Sequence, residues 1–235
     1  MRLEPLARAL RPHQWAKNTL LLLPAFAAHL AWSPALALAL LGGFAAFSLV
    51  ASGLYLVNDL LDLPHDRLHP SKSRRPLASG QLSVPLAAGA AAVLIVAAAL
   101  LAALQPARFQ WALAAYVVLN LAYSLDLKRR PVLDVIVLAT LYATRVVAGA
   151  ALVDVPLSRW FLAFALFLFL SLALVKRVVE LQALPDGTTG FVRGRSYVRA
   201  DIPALVALGA ACSAASALVY CLYVTGDDVG RLYRH

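Results

Sequence analysis

Runs of about twenty apolar residues, separated by short cationic loops, constrain this chain more than any other feature. Seven such runs lie near residues 17–31, 35–57, 84–104, 108–124, 132–153, 158–179 and 202–224. With 62% hydrophobic residues and a mean hydropathy of +0.76, the composition is that of a membrane chain. The sequence therefore predicts an all-α integral membrane protein of about seven transmembrane helices, forming one domain over residues 1–235. The first run is short and contains Pro24, which predicts a tilt or bend. The Ala-rich third run and the pair Gly42-Gly43 in the second suit close helix packing in lipid.

Orientation follows from where the cations fall. Sixteen of the 21 Lys and Arg lie in the amino-terminal segment and the 2–3, 4–5 and 6–7 loops, which predicts that these face the cytoplasm. The net charge of +9 is thus accounted for by topology and attraction to anionic lipid. Nucleic acid is excluded as a partner, since the cations are dispersed among loops without a basic folded domain. Met1 to Lys17 holds Glu4, Pro5 and Pro12 and no small-residue cleavage site, so it reads as a retained cytoplasmic segment. Cys212 and Cys221 share one apolar run and read as small packing residues.

At the end of the second run, Asn58-Asp59-Leu60-Leu61-Asp62-Leu63-Pro64-His65-Asp66-Arg67 concentrates polar groups in a chain that is otherwise Ala, Leu and Val. Such groups beside a membrane are costly and functional by default. Asp59, Asp62 and Asp66 stand at i, i+3 and i+7, within an arc of about 60° on a regular helix. Three carboxylates so placed repel one another unless a cation lies among them, and oxygen-only ligands suit Mg²⁺. Pro64 predicts a kink or helix end, with Asp66 reaching the site from beyond it. The competing reading is a solvated acidic helix end balanced by nearby Arg and Lys. His65 and His69 lie between prolines without a nearby Cys and read as loop residues, not a zinc pair.

The pattern N-D-x-x-D-x-x-x-D over Asn58 to Asp66 resembles the first aspartate motif of the UbiA-type intramembrane prenyltransferase superfamily. So do Arg67-Leu68-His69-Pro70-Ser71-Lys72 with Arg75-Pro76 and Gly80, and the opening Arg11-Pro12-His13-Gln14-Trp15-Ala16-Lys17-Asn18. These details are most similar to its polyprenyl-phosphate (decaprenyl-phosphate) phosphoribosyltransferase branch, over residues 11 to 224. The resemblance implies Mg²⁺ held by Asn58, Asp59, Asp62 and Asp66, with Lys17, Arg67, Lys72 and Arg75 on phosphates. Tyr123 and Lys128, in Tyr123-Ser124-Leu125-Asp126-Leu127-Lys128, are similar to the superfamily's Tyr–Lys motif. There Lys128 would contact a phosphate that Tyr123 helps to position; otherwise they are an interfacial Tyr and an ordinary loop cation.

Arg145 lies too deep in the fifth run to reach water easily, and its fork suits phosphate oxygens; pairing with a buried Asp is the alternative. Asp134 reads as a further ligand or as a helix N-terminal charge. Lys176, Arg177 and Glu180 stand where prenyl-transferring members carry a second aspartate motif. The departure argues against a second metal of the usual kind and for cationic contact with a phosphate. The loop with Pro185-Asp186-Gly187 and Gly194-Arg195-Ser196-Tyr197 reads as a turn and a cytoplasmic cover.

The expected activity is a Mg²⁺-dependent transfer of phosphoribosyl from phosphoribosyl pyrophosphate to a polyprenyl phosphate, releasing pyrophosphate at the cytoplasmic face of the cell membrane. Lys17, Lys128, Arg145 and Lys176 would neutralise the leaving group. The alternative is prenyl transfer from a prenyl diphosphate to an aromatic acceptor, and a more distant one is a transporter of a phosphorylated solute. The superfamily has nine helices against seven runs here. The difference is read either as two helices missing at the carboxy-terminal end or as a groove covered by another subunit or copy, which would make a homo-oligomer.

Overall fold

The computed structural model of the protein describes residues 4–69, 71–184 and 197–225. Among these there is no strand. The helices are α1 (Glu4–Leu10), α2 (Leu23–Ala27), α3 (Pro34–Leu61), α4 (Leu63–Arg67), α5 (Val84–Ala103), α6 (Ala107–Leu125), α7 (Leu133–Leu152), α8 (Arg159–Gln182) and α9 (Ile202–Thr225). Short 3₁₀ segments cover Pro12–Leu21, Lys72–Arg74, Leu127–Arg129 and Arg199–Asp201. Of the expected cover loop only Tyr197 is described, and it is buried; residues 185–196 lie outside the described residues.

Five described helices are long and apolar enough to cross a membrane: α3, α5, α7, α8, and α9 with its preceding turn. Two of the seven expected runs differ. The 17–31 run is not one helix but the 3₁₀ segment Pro12–Leu21 followed by the single-turn-and-a-half α2. Asn18 of this run and Trp15 just before it bond to α3, and left-handed backbone stands at Arg11 (φ 54°) before the run and at His29 (φ 49°) within it. The 108–124 run is helical as α6, but Arg108, Gln110 and Asn120 make it less apolar than the other five.

The chain divides into two compact units, residues 1–125 with 144–155, and residues 126–143 with 156–235. In the first unit α5 lies along α3. Leu56, Ala87 and Ala91 are buried there with Ala9, Leu77 and Leu82. A Cβ at Gly53 of α3 would stand 3.2 Å from the Ala91 carbonyl oxygen, so the two backbones approach closely at small residues. That is how helices associate in lipid, where apolar burial gives little preference for one neighbour over another. The outer surface of α5 presents Val93, Val96 and Leu100.

In the second unit α8 packs on α9. Ala173, Leu174 and Leu181 of α8 are buried with Leu205 of α9, Val135 of α7 and Tyr197. The Ser171 hydroxyl donates to the Gly209 carbonyl at 3.0 Å, and Ser216 to that of Phe164 at 3.3 Å. Interhelical bonds of this kind are worth about 0.6 kcal/mol each in a membrane.

Candidate active site

The site starts from the inward face of α3. Ser48, Ser52 and Asp59 are four and then seven residues apart, which places all three on one stripe of the helix. Each receives part of the amino-terminal segment. Asn18 Nδ2 donates to Ser48 Oγ at 3.1 Å, and Trp15 Nε1 donates to Ser52 Oγ at 3.0 Å. The Ser52 hydroxyl in turn donates to the Leu10 carbonyl at 2.9 Å. Arg11 Nη2 donates to both oxygens of Asp59, at 2.6 and 2.9 Å. The same guanidinium lies over the Tyr55 ring at 5.0 Å. A left-handed non-glycine residue costs on the order of 1–3 kcal/mol. At Arg11 the buried carboxylate holds that conformation in place.

α3 ends at Leu61, and Asp62 caps it while opening α4, with Pro64 at the second position of the new helix. Both Asp66 and His65 return their N–H groups to the Asp62 carbonyl. The expected helix break is present two residues earlier, at Asp62, with Pro64 in the first turn of α4, and Asp66 is buried beyond it. Arg75 Nη1 lies 3.1 Å from Asp59 Oδ1 and 2.6 Å from Asp66 Oδ2, so one nitrogen is shared by two carboxylates. The side chains of Asp59 and Asp66 are each only 3% exposed. Lys72 Nζ stands 4.0 Å from Asp66. Asp62 and Asn58 are half-buried at the junction, and Arg67 is exposed. No group of three or more His, Cys, Asp or Glu among the described residues gathers as a metal cluster. The structure thus brings together Asp59 and Asp66 of the four expected ligands. His69 Nδ1 accepts from the Ser71 and Lys72 N–H groups, which fixes the turn carrying Lys72.

Arg145 of α7 is buried in the same unit. Its Nε donates to Asn18 Oδ1 and its Nη2 to the Tyr116 hydroxyl, each at 3.0 Å, and the guanidinium lies 4.8 Å from the Tyr116 ring centre. Lys17, half-buried, precedes Asn18 in the chain. Asn18 therefore joins Arg145 to Ser48 on α3.

The second unit holds a separate charged cluster. Asp134 and Arg177 are both buried and pair at 2.7 Å. Tyr197 donates to Asp134 at 2.6 Å while accepting from the Val132 N–H at 2.8 Å. Burial, and then the bond to Asp134, push the Tyr197 hydroxyl well above its ordinary range. Arg177 also pairs with Glu180. Arg177 and Glu180, expected on a phosphate, are thus engaged in a buried ion-pair network, and Asp134 serves as its anion. Lys176 is about half exposed, 4.0 Å from Glu180. Lys128 is half-buried in the 127–129 turn, and Tyr123 half-buried near the end of α6.

Arg11, Asn18, Tyr116 and Tyr197 are among the participants that were not expected at the site. Arg11 and Asn18 occur in a quoted motif, but nothing in their spacing shows which helix they meet. Tyr116 offered a weak signal, a phenol in the middle of an apolar run. Tyr197 offered none, since its partner is 63 residues away.

A family model described as the UbiA prenyltransferase family matches residues 19–226. The Nodulation protein NoeC of Azorhizobium caulinodans is 39% identical over 208 residues, 88% of this chain and 67% of that protein. The Decaprenyl-phosphate phosphoribosyltransferase of Mycolicibacterium smegmatis is 37% identical over 181 residues, 75% of this chain and 57% of that protein. A solved structure of a UbiA homolog from Archaeoglobus fulgidus bound to GPP and Mg²⁺ is similar with a TM-score of 0.76. That likeness covers 92% of this chain and 76% of that one at 21% identity, and concerns the fold. The chain spans from 44% to 67% of the length of the curated relatives it matches.

Proposed function

Because this chain belongs to the UbiA prenyltransferase family and is a multi-pass membrane protein, we propose that it transfers phosphoribosyl from phosphoribosyl pyrophosphate to a polyprenyl phosphate, releasing pyrophosphate. The observation that carries the release of pyrophosphate in this reading is the convergence of Asp59 and Asp66, both buried, on one cationic nitrogen at the end of α3. Relatives named decaprenyl-phosphate phosphoribosyltransferase support the choice of donor and acceptor.

The residues present fit Mg²⁺. Its usual protein ligands are one or two carboxylates, with phosphate oxygens and water completing the shell. Asp59 and Asp66 supply two, close enough together to share a single cation. Bound there, Mg²⁺ would neutralise the charge that develops on the departing pyrophosphate.

The chain's own groups account for the rest. Arg75 and Lys72, on the turn after α4, are placed to hold donor phosphates beside the carboxylates. Lys17 and Arg145, in the same unit, are assigned to phosphate oxygens of the leaving group. In the transfer the bond from the sugar's anomeric carbon to pyrophosphate breaks, and pyrophosphate leaves with the electron pair. An oxygen of the polyprenyl phosphate forms the new bond to that carbon. This oxygen is already anionic, so the reaction needs no general base. It needs fixed cations to bring two phosphates together in a dry site. Transfer to an aromatic ring would need a base for the ring proton.

The distribution of Lys and Arg supports a site at the cytoplasmic face. Membranes containing the chain are incubated with labelled phosphoribosyl pyrophosphate and polyprenyl phosphate, and the lipid is extracted. Label is expected in the lipid. An unlabelled lipid, with consumption of a prenyl diphosphate and an aromatic acceptor in a parallel incubation, would establish prenyl transfer instead.

A further inference from the structure

We infer that Arg75 is an exchangeable counter-cation, holding Asp59 and Asp66 together until a metal takes its place, and so ties metal entry to arrival of the anionic donor. The inference rests on the metal cradle proposed above.

Three observations carry it. The first is position: Arg75 Nη1 lies between Asp59 and Asp66, where a shared divalent cation would lie. The second is charge. Arg11, Lys72 and Arg75 all stand within 4.0 Å of these two carboxylates, so the groups in contact already carry one net positive charge. A divalent ion added to that set is repelled unless a cation withdraws or an anion comes with it. The third is unequal anchorage. Arg11 donates to both oxygens of Asp59 and lies over Tyr55, whereas Arg75 reaches the two carboxylates through one nitrogen, Nη1, from the turn after Lys72–Arg74. Of the two arginines, Arg75 is the one free to swing outward. A guanidinium binds phosphate as well as carboxylate, so a diphosphate offers Arg75 a new partner while supplying the negative charge the metal needs. Metal and donor would then bind as a pair, each weakly without the other.

The test is a Mn²⁺ titration of the purified full-length chain in nanodiscs, followed by electron paramagnetic resonance with no diphosphate present. Arg75→Gln is expected to bind Mn²⁺ at least about fivefold more tightly than wild type. Lys72→Gln, which removes one charge but not the shared nitrogen, is expected to tighten binding by a smaller factor. Arg108→Gln, the same charge loss at an exposed pair with Asp154, should change nothing. Arg75→Gln binding no more tightly than wild type overturns the inference. If that variant fails to fold, Arg75→Lys is titrated in its place: it keeps the charge but loses the guanidinium that spans both carboxylates, so it is expected to bind Mn²⁺ more tightly than wild type, and no tightening overturns the inference. Equal, measurable binding by every form sinks the exchange alone. Absence of binding in every form sinks the cradle and the exchange with it.

Discussion

Asp59 and Asp66 are seven residues apart, yet they meet at a single nitrogen because the helix between them does not continue. The carboxylate spacing was legible in the sequence, and so was the interruption near Pro64. What the spacing could not supply was the pairing. On an unbroken helix Asp62 would share the arc; with the break it becomes the junction residue that caps α3 and opens α4. Arg11, the other occupant, was legible only as part of a motif, since its contact with Asp59 spans 48 residues. At this scale Asp66→Asn keeps the shape and removes the charge. It is expected to lower turnover at least about a hundredfold in membranes at saturating Mg²⁺, the loss of roughly 3 kcal/mol of charge stabilisation. Turnover within about threefold of wild type would show that the carboxylate is not part of the chemistry.

Elements were legible where a long unbroken apolar run was the dominant signal, as in α3, α5, α8 and α9. The 17–31 run was misread because the chain entering it is held to α3 by Arg11 on Asp59 and Trp15 on Ser52, and its own Asn18 bonds to Ser48, none of which a local pattern encodes. α7 also constrains that segment. A Cβ at Gly149 would stand 2.1 Å from the Leu21 carbonyl oxygen and 2.8 Å from its carbon, a backbone contact that cannot give way cheaply. Gly149→Ala should therefore push the 3₁₀ segment off α7 and cost about 1–3 kcal/mol, as overpacking does. Gly89→Ala, on α5 with nothing within 4 Å, should be neutral or gain about 0.5–1 kcal/mol. Thermal unfolding of the two variants in detergent compares them directly. Equal midpoints would contradict the close approach at Gly149.

For the whole molecule, composition was enough to read an all-helical membrane protein, because no other class tolerates so much apolar sequence in so few loops. Its motifs were enough to place the family. The cluster around Asp134, Arg177 and Tyr197 was not legible, since nothing near the Arg177-to-Glu180 motif in the sequence points to Asp134 as its partner. Orientation is tested by replacing exposed Ser79 with Cys in a chain whose Cys212 and Cys221 are changed to Ala. An impermeant thiol reagent is expected to label it only after cells are opened; labelling of intact cells would invert the topology. The central claim is that the bond broken lies between the sugar and pyrophosphate, at the Asp59–Asp66 pair. It is tested most directly by supplying phosphoribosyl pyrophosphate labelled either on its 5-phosphate or on its β-phosphate, together with polyprenyl phosphate. The account predicts 5-phosphate label in the lipid, matched one for one by β-label released as free pyrophosphate. β-Label in the lipid, or pyrophosphate release without lipid labelling, would contradict it.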